Sequence, residues 1–154
     1  MVSMYLDTAI LVKLLVREPD SDWFNTALFG QHFEASELAL AEVRSALLAK
    51  ERSGHLTPKE RVRAGEKFAA MADEDLVRLL PLNRTVLERA SAIQLACHPR
   101  IPLRTLDALH VATCDLHQCG ALSTTDARMR AACEQLAIAL VPAKPEDVTT
   151  RSSR

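Results

Sequence analysis

Four acidic residues sit in apolar surroundings: Asp7 in MYLDTAILVKLL, Glu42 in SELALAEVRSALLAK, Asp107 in LRTLDALHVATC and Asp126 in LSTTDARMRAAC. Taken singly, three have a structural explanation. Asp7 can cap the helix that follows it, and Asp107 and Asp126 fall in first turns after Thr105 and Thr124. A carboxylate there gains about 0.3–1 kcal/mol from the positive helix end. Glu42 resists capping, because the pattern puts it a full turn inside its helix, flanked by Leu38, Ala39, Ala41, Val43 and Ala46. A surface-facing glutamate is its ordinary alternative. Taken together, acids gathered on one sheet edge would crowd like charges, and a multivalent cation with oxygen ligands is the usual relief.

Other constellations carry less. His110, Cys114 and His117 recur at i, i+4, i+7 on one helix, a spacing that could hold zinc, although packing is the commoner cause. The chain contains no H-E-x-x-H, G-x-S-x-G or phosphate loop, and only four glycines. A receiver domain would need paired acids after the first strand and an aspartate after the third, where Pro81-Leu82-Asn83 stands. A D-x-D phosphatase fails at Ala9.

The elements that must position the acids alternate along the chain. Strands are expected at 2–6, 32–36, 76–81, 121–123 and 138–141, with helices at 8–18, 20–30, 37–53, 58–73, 84–97, 105–119 and 126–137. Ser36, Thr57-Pro58, Thr105 and Thr124 or Thr125 read as helix starts, and Gly54 and Gly120 as stops. This order predicts an α/β fold: a three-layer α/β/α sandwich around a mostly parallel sheet of about five short strands. Ligands of such sheets gather where strands end and helices begin. Asp7 and Asp126 both follow strands directly, which puts them on that edge. One domain is expected over 1–142, with a polar tail over 143–154.

Composition sets the limits. The chain has 154 residues, is 48% hydrophobic and has a net charge of −1, which suits one domain with a sizeable core and does not advertise a nucleic-acid partner. No segment approaches the ~18 apolar residues of a membrane span. The N-terminal stretch lacks a basic leader, and Asp7 interrupts its apolar run, so a cytoplasmic protein is expected. Cys97, Cys114, Cys119 and Cys133 fall in helix-like contexts without C-x-x-C spacing, as free thiols of a reducing compartment do.

The order of Y-L-D-T at the first strand, an E-V-R-S-A helix, a T-L-D-A-L-H-V-A-T helix and an L-S-T-T-D strand-to-helix turn resembles the PIN-domain ribonucleases. Within them it is most similar to the VapC-type toxins of bacterial and archaeal toxin–antitoxin pairs. The resemblance runs from about Met4 to Val141. It implies that Asp7, Glu42, Asp107 and Asp126 form the acidic, metal-binding cluster, with Thr124 as the supporting hydroxyl; Thr125 competes for that role. It further implies one or two Mg2+ or Mn2+ ions and hydrolysis of RNA to a 5′-phosphate and a 3′-hydroxyl. The chemistry asks for such ligands, since hard cations can neutralise an anionic phosphodiester and activate a water.

Substrate contacts are expected from Arg44 and Arg104, the basic residues nearest in sequence to Glu42 and Asp107. With one Trp, one Tyr and four Phe, recognition of folded RNA by shape and phosphate fits better than base stacking. Residues 8–30 carry Ile10, Leu11, Leu14, Leu15, Trp23, Phe24, Leu28 and Phe29. That is an apolar surplus for a homodimer face or an antitoxin groove, which the helix from Thr57 to Met71 would extend. The contrasting readings are a catalytically silent PIN-like module that binds RNA or protein, and a housekeeping RNA-processing nuclease.

Overall fold

The computed structural model describes residues 2–150. Five strands, β1 (Ser3–Leu6), β2 (His32–Ser36), β3 (Val77–Leu80), β4 (Ala121–Ser123) and β5 (Leu140–Val141), form one sheet in the order β3-β2-β1-β4-β5. Every pairing is parallel. The helices are α1 (Thr8–Leu15), α2 (Ser21–Ala27), α3 (Ala39–Arg52), α4 (Pro58–Asp73), α5 (Arg84–Cys97), α6 (Thr105–Leu116) and α7 (Ala127–Gln135).

The period-two alternation of β1 divides the core. Met4 and Leu6 pack with Ile10, Phe24, Val43, Leu47 and Phe68 of α1–α4, whereas Tyr5 packs on the other face with Val86, Ile93, Val111 and Met129 of α5–α7. Both faces are therefore covered, as a parallel sheet requires. Helix α6 is buried from Asp107 through Cys114, held between the sheet, α5 and α7. A helix enclosed in this way reads as apolar nearly all round.

Several boundaries differ from the sequence reading. Helix α1 stops at Leu15 and α2 begins at Ser21, since Pro19 lies between them and disfavours helix in the residue before it. Helix α3 begins after Leu38, with Ser36 Oγ accepting the Leu38 N–H at 3.1 Å in the preceding turn. Arg104, not Thr105, flanks the start of α6, and Asp126, not a threonine, caps α7. Gly120 does not stop a helix: α6 ends at Leu116, Gln118 takes the positive φ of 50°, and the Gly120 N–H opens β4 by bonding Ser3 O at 2.9 Å. A side chain at Gly120 would run into Val2. The tail expected over 143–154 lies outside the described residues from 151 onward; within them Pro145–Asp147 forms a 3-10 turn and Val148 packs on the α1–α4 core.

The apolar surplus of residues 8–30 goes mostly into that core: Ile10, Leu11, Phe24 and Leu28 are buried, Leu14, Leu15 and Trp23 partly so. Phe29 alone of this set stands out, 86% exposed.

Candidate active site

Sheet register builds the centre of the site. Leu6 pairs with Ser123, and the Asp7 N–H donates to Ser123 O at 3.2 Å, so β1 and β4 end level and release Asp7 and Thr124 side by side. Asp7 caps α1, its Oδ1 accepting the Ile10 N–H at 2.9 Å. The Thr124 hydroxyl donates to Asp7 Oδ2 and accepts the Asp126 N–H at 3.0 Å. Asp126 in turn caps α7, with Oδ1 accepting the amides of Arg128 and Met129 at 3.0 and 2.9 Å. Buried Arg130 fixes this turn, donating to the carbonyls of Thr124 and Ala143 at 3.1 Å each. Thr125, the competing hydroxyl, is exposed.

Asp7 is 2% exposed. Burial pushes its carboxyl above the usual aspartate value, and the bonds from Thr124 and Ile10 oppose that only in part. Glu42 comes from α3, in the same helical layer as α1 and across the sheet from α6 and α7. It lies in the first turn of α3 rather than a turn further in, because the helix starts later than its sequence pattern indicates, yet it caps nothing. Its Oε1 meets His110 Nε2 at 2.6 Å and accepts the Thr8 hydroxyl at 2.9 Å. Burial disfavours ionised Glu42, but the bonds to His110 and Thr8 prevail and hold the carboxyl below its ordinary range.

Asp107 opens α6 and is 6% exposed. Exposed Arg104 forks between two acids, with Nε 2.9 Å from Asp107 Oδ2 and Nη2 3.5 Å from Asp126 Oδ2. Asp7, Glu42, Asp107 and Asp126 all line one cleft of about 490 Å³ between the two helical layers, at the C-terminal edge of the sheet. Among the described residues, no three His, Cys, Asp or Glu side chains enclose an ion. The carboxylates are turned instead toward Thr124, His110 and Arg104. The donor set nevertheless fits a hard divalent cation in kind, being all oxygen, and the Arg104 guanidinium already sits against two of its members as a positive charge.

Other sequence candidates fall elsewhere. Arg44, two residues from Glu42, faces α4 and lines a separate cleft of about 270 Å³ with Arg61 and Glu66, since two helical positions turn a side chain well away from its neighbour. His110, Cys114 and His117 do not converge: His110 faces Tyr5 and Glu42, Cys114 is buried in the core with a free thiol, and His117 is exposed at the helix end. The sequence reading missed His110 as a partner of Glu42, and also Tyr5 and Arg130. Only the i, i+3 spacing of Asp107 and His110 hinted at the first.

Residues 4–135 match the PIN domain family. Over 147 residues the chain is 39% identical to Ribonuclease VapC46 of Mycobacterium tuberculosis, covering 92% of this chain and 98% of that protein. Its fold superposes on the crystal structure of FitAcB from Neisseria gonorrhoeae with a TM-score of 0.69 at 19% identity, over 94% of this chain and 99% of the other. It also superposes on VapC20 of Mycobacterium tuberculosis, described as a sarcin-ricin loop cleaving toxin, with a TM-score of 0.65 at 20% identity, over 84% and 95%. The match spans both strand ends that carry Asp7 and Asp126 and both helices that carry Glu42 and Asp107: the chain belongs to the PIN domain family.

Proposed function

We propose that this protein is a metal-dependent endoribonuclease, the toxin of a toxin–antitoxin pair, with Asp7, Glu42, Asp107 and Asp126 as its metal-holding acids. One observation carries the reading: four carboxylates from four different elements line a single cleft at the ligand-binding edge of a parallel sheet. The extensive similarity to a protein named as a ribonuclease supports the substrate class.

Mg2+ or Mn2+ held by these acids would supply charge neutralisation at the scissile phosphodiester and an activated water. The chain's own residues do the positioning. Thr124 orients Asp7, His110 and Thr8 orient Glu42, and Asp107 and Asp126 become available as exposed Arg104 swings off them. Arg104 is then beside the cleft with its charge free to meet a backbone phosphate. Asp7 and Asp126 also stand at helix N-termini, whose positive ends favour the phosphate and would weaken the hold of these two acids on a cation. Arg44, in its separate cleft, has no part in this arrangement.

The antitoxin has a place to lie. A second groove of about 470 Å³ between α1 and α3 shares Thr8, Ala9 and Glu42 with the acidic cleft and is floored by Val12, Ala46, Ala49 and Leu106. A segment laid there can offer an arginine to the acids in bidentate geometry. Exposed Phe29, at 86%, and Leu95, at 77%, supply apolar area for a homodimer, which light scattering at tens of micromolar tests directly. Among the described residues no helix is long and apolar enough to cross a membrane, and all four cysteines are free, in keeping with a cytoplasmic site of action.

The decisive assay is cleavage of structured RNA by purified protein. EDTA abolishes it and Mg2+ or Mn2+ restores it, while Glu42→Gln and Asp107→Asn each remove most activity with unchanged circular dichroism. Retained cleavage in both variants overturns the assigned site, and rescue by zinc alone overturns the assigned metal.

A further inference from the structure

The ring of His110 is 2% exposed and engaged at both nitrogens, Nδ1 lying 2.8 Å from the Tyr5 hydroxyl and Nε2 lying 2.6 Å from Glu42 Oε1. The surroundings of Tyr5 decide which nitrogen carries the proton. Tyr5 is fully buried, and the side-chain acceptor within reach of its hydroxyl is His110 Nδ1, at 2.8 Å. Its own hydrogen is directed at that nitrogen. Burial pushes the phenol well above its ordinary value, so the hydroxyl keeps that hydrogen and remains a donor. With Nδ1 accepting, His110 carries a proton on Nε2 and donates it to Glu42.

The consequence falls on Glu42. Oε1 takes hydrogen bonds from both His110 and Thr8, whereas Oε2 takes none from the described residues. A flexible glutamate near the surface of a helix ordinarily samples several rotamers at a cost of up to about 2 kcal/mol when fixed. Here two donors from two other elements, α6 and α1, pin one oxygen and leave the other for the cleft.

We infer that His110 is a positioning residue that presents Glu42 Oε2 to the cleft, with Tyr5 fixing the imidazole tautomer from the opposite side of the ring. This rests on the metal-nuclease reading for its purpose, but the hydrogen-bond order from Tyr5 through His110 to Glu42 stands on geometry. It links β1, α6 and α3 through one polar chain whose middle member, His110, lines the cleft. Partners of this kind, one step removed from a metal, typically change metal affinity by about 10–100-fold when removed.

Two measurements on the full chain test it. Nitrogen-15 spectra of the metal-free wild type report the protonated ring nitrogen of His110, expected at Nε2. Calorimetric titration with Mn2+ is expected to give about 10–100-fold weaker binding for His110→Leu, while His110→Gln, which keeps a donor toward Glu42, recovers most of the loss. An Nδ1 proton with a bare Nε2 in the wild type overturns the inference even if His110→Leu fails to fold. Wild-type Mn2+ affinity in His110→Leu alone also overturns it. Wild-type affinity in both His110→Leu and Glu42→Gln removes instead the metal-site reading on which its purpose rests.

Discussion

Asp7 illustrates how far a single residue can serve function against stability. Its carboxylate is buried at the meeting of two strand ends, and burial lifts its folded-state value above that of the unfolded chain. The sign follows from linkage: such a group stabilises the fold fully only below its unfolded value, and that contribution is lost as pH rises through the folded one. At neutral pH the metal-free protein therefore carries an unfavourable buried charge. Asp7→Asn retains a capping oxygen for the Ile10 amide and removes the charge, so it should raise the melting temperature of the EDTA-treated protein at pH 7 while abolishing cleavage. Each kcal/mol recovered corresponds to about 2–4 °C for a chain of this size. The gain should shrink as pH falls toward the ordinary aspartate range, and a lower melting temperature at pH 7 would contradict this account. Asp7 and Asp126 were legible in the sequence because each follows a strand and position alone fixes the edge, whereas Thr124 was implied only by the family resemblance, with Thr125 as its rival. His110 was not, since a helical spacing reveals which residues share a face and nothing about the strand and helix that meet it.

At the scale of elements, legibility followed the strength of local signals. The Thr57-Pro58 start of α4 carries a full capping box, with the Glu60 N–H donating to Thr57 Oγ1 at 3.2 Å and the Thr57 N–H to Glu60 Oε2 at 2.7 Å. Here local chemistry and tertiary structure agree. They disagree at α3, where Ser36 and Glu37 continue from a strand that pairs Ser36 with Leu80, so the sheet delays the helix and Glu42 ends in its first turn. They disagree again at α6, where Arg104 takes the flanking place because its guanidinium reaches Asp107 and Asp126. Thr57→Ala should cost about 1 kcal/mol and lower the melting temperature by about 2–4 °C, with RNA cleavage at 25 °C unchanged. A loss of cleavage without unfolding would mean that α4 takes part in the site, which its position away from the acidic cleft does not suggest.

On the scale of the whole molecule, the topology gives the acids a common address. With β1 central in the order β3-β2-β1-β4-β5, the strand that ends in Asp7 lies beside the one that ends in Thr124, and α3 and α6 close over them from opposite faces. The result is an open acidic cleft in a chain whose net charge is only −1, so neither the acids nor the global field would draw in a polyanion, and that attraction would have to come from a bound cation and Arg104. An accessible nuclease centre of this kind is hazardous in its own cell, and the apolar groove that runs from Glu42 along α1 and α3 is where a restraining partner would reach the acids. Expression of this chain alone in a bacterial host should therefore arrest growth. Asp7→Ala should relieve the arrest at matched soluble expression, because it deletes the carboxylate that β1 and β4 jointly position, and co-expression of the cognate antitoxin should relieve it for the wild type. If wild type and Asp7→Ala are tolerated equally, toxicity does not stem from this cleft. RNA cleavage by the purified protein would then point to a housekeeping nuclease, and its absence to a PIN-like scaffold that binds without cutting.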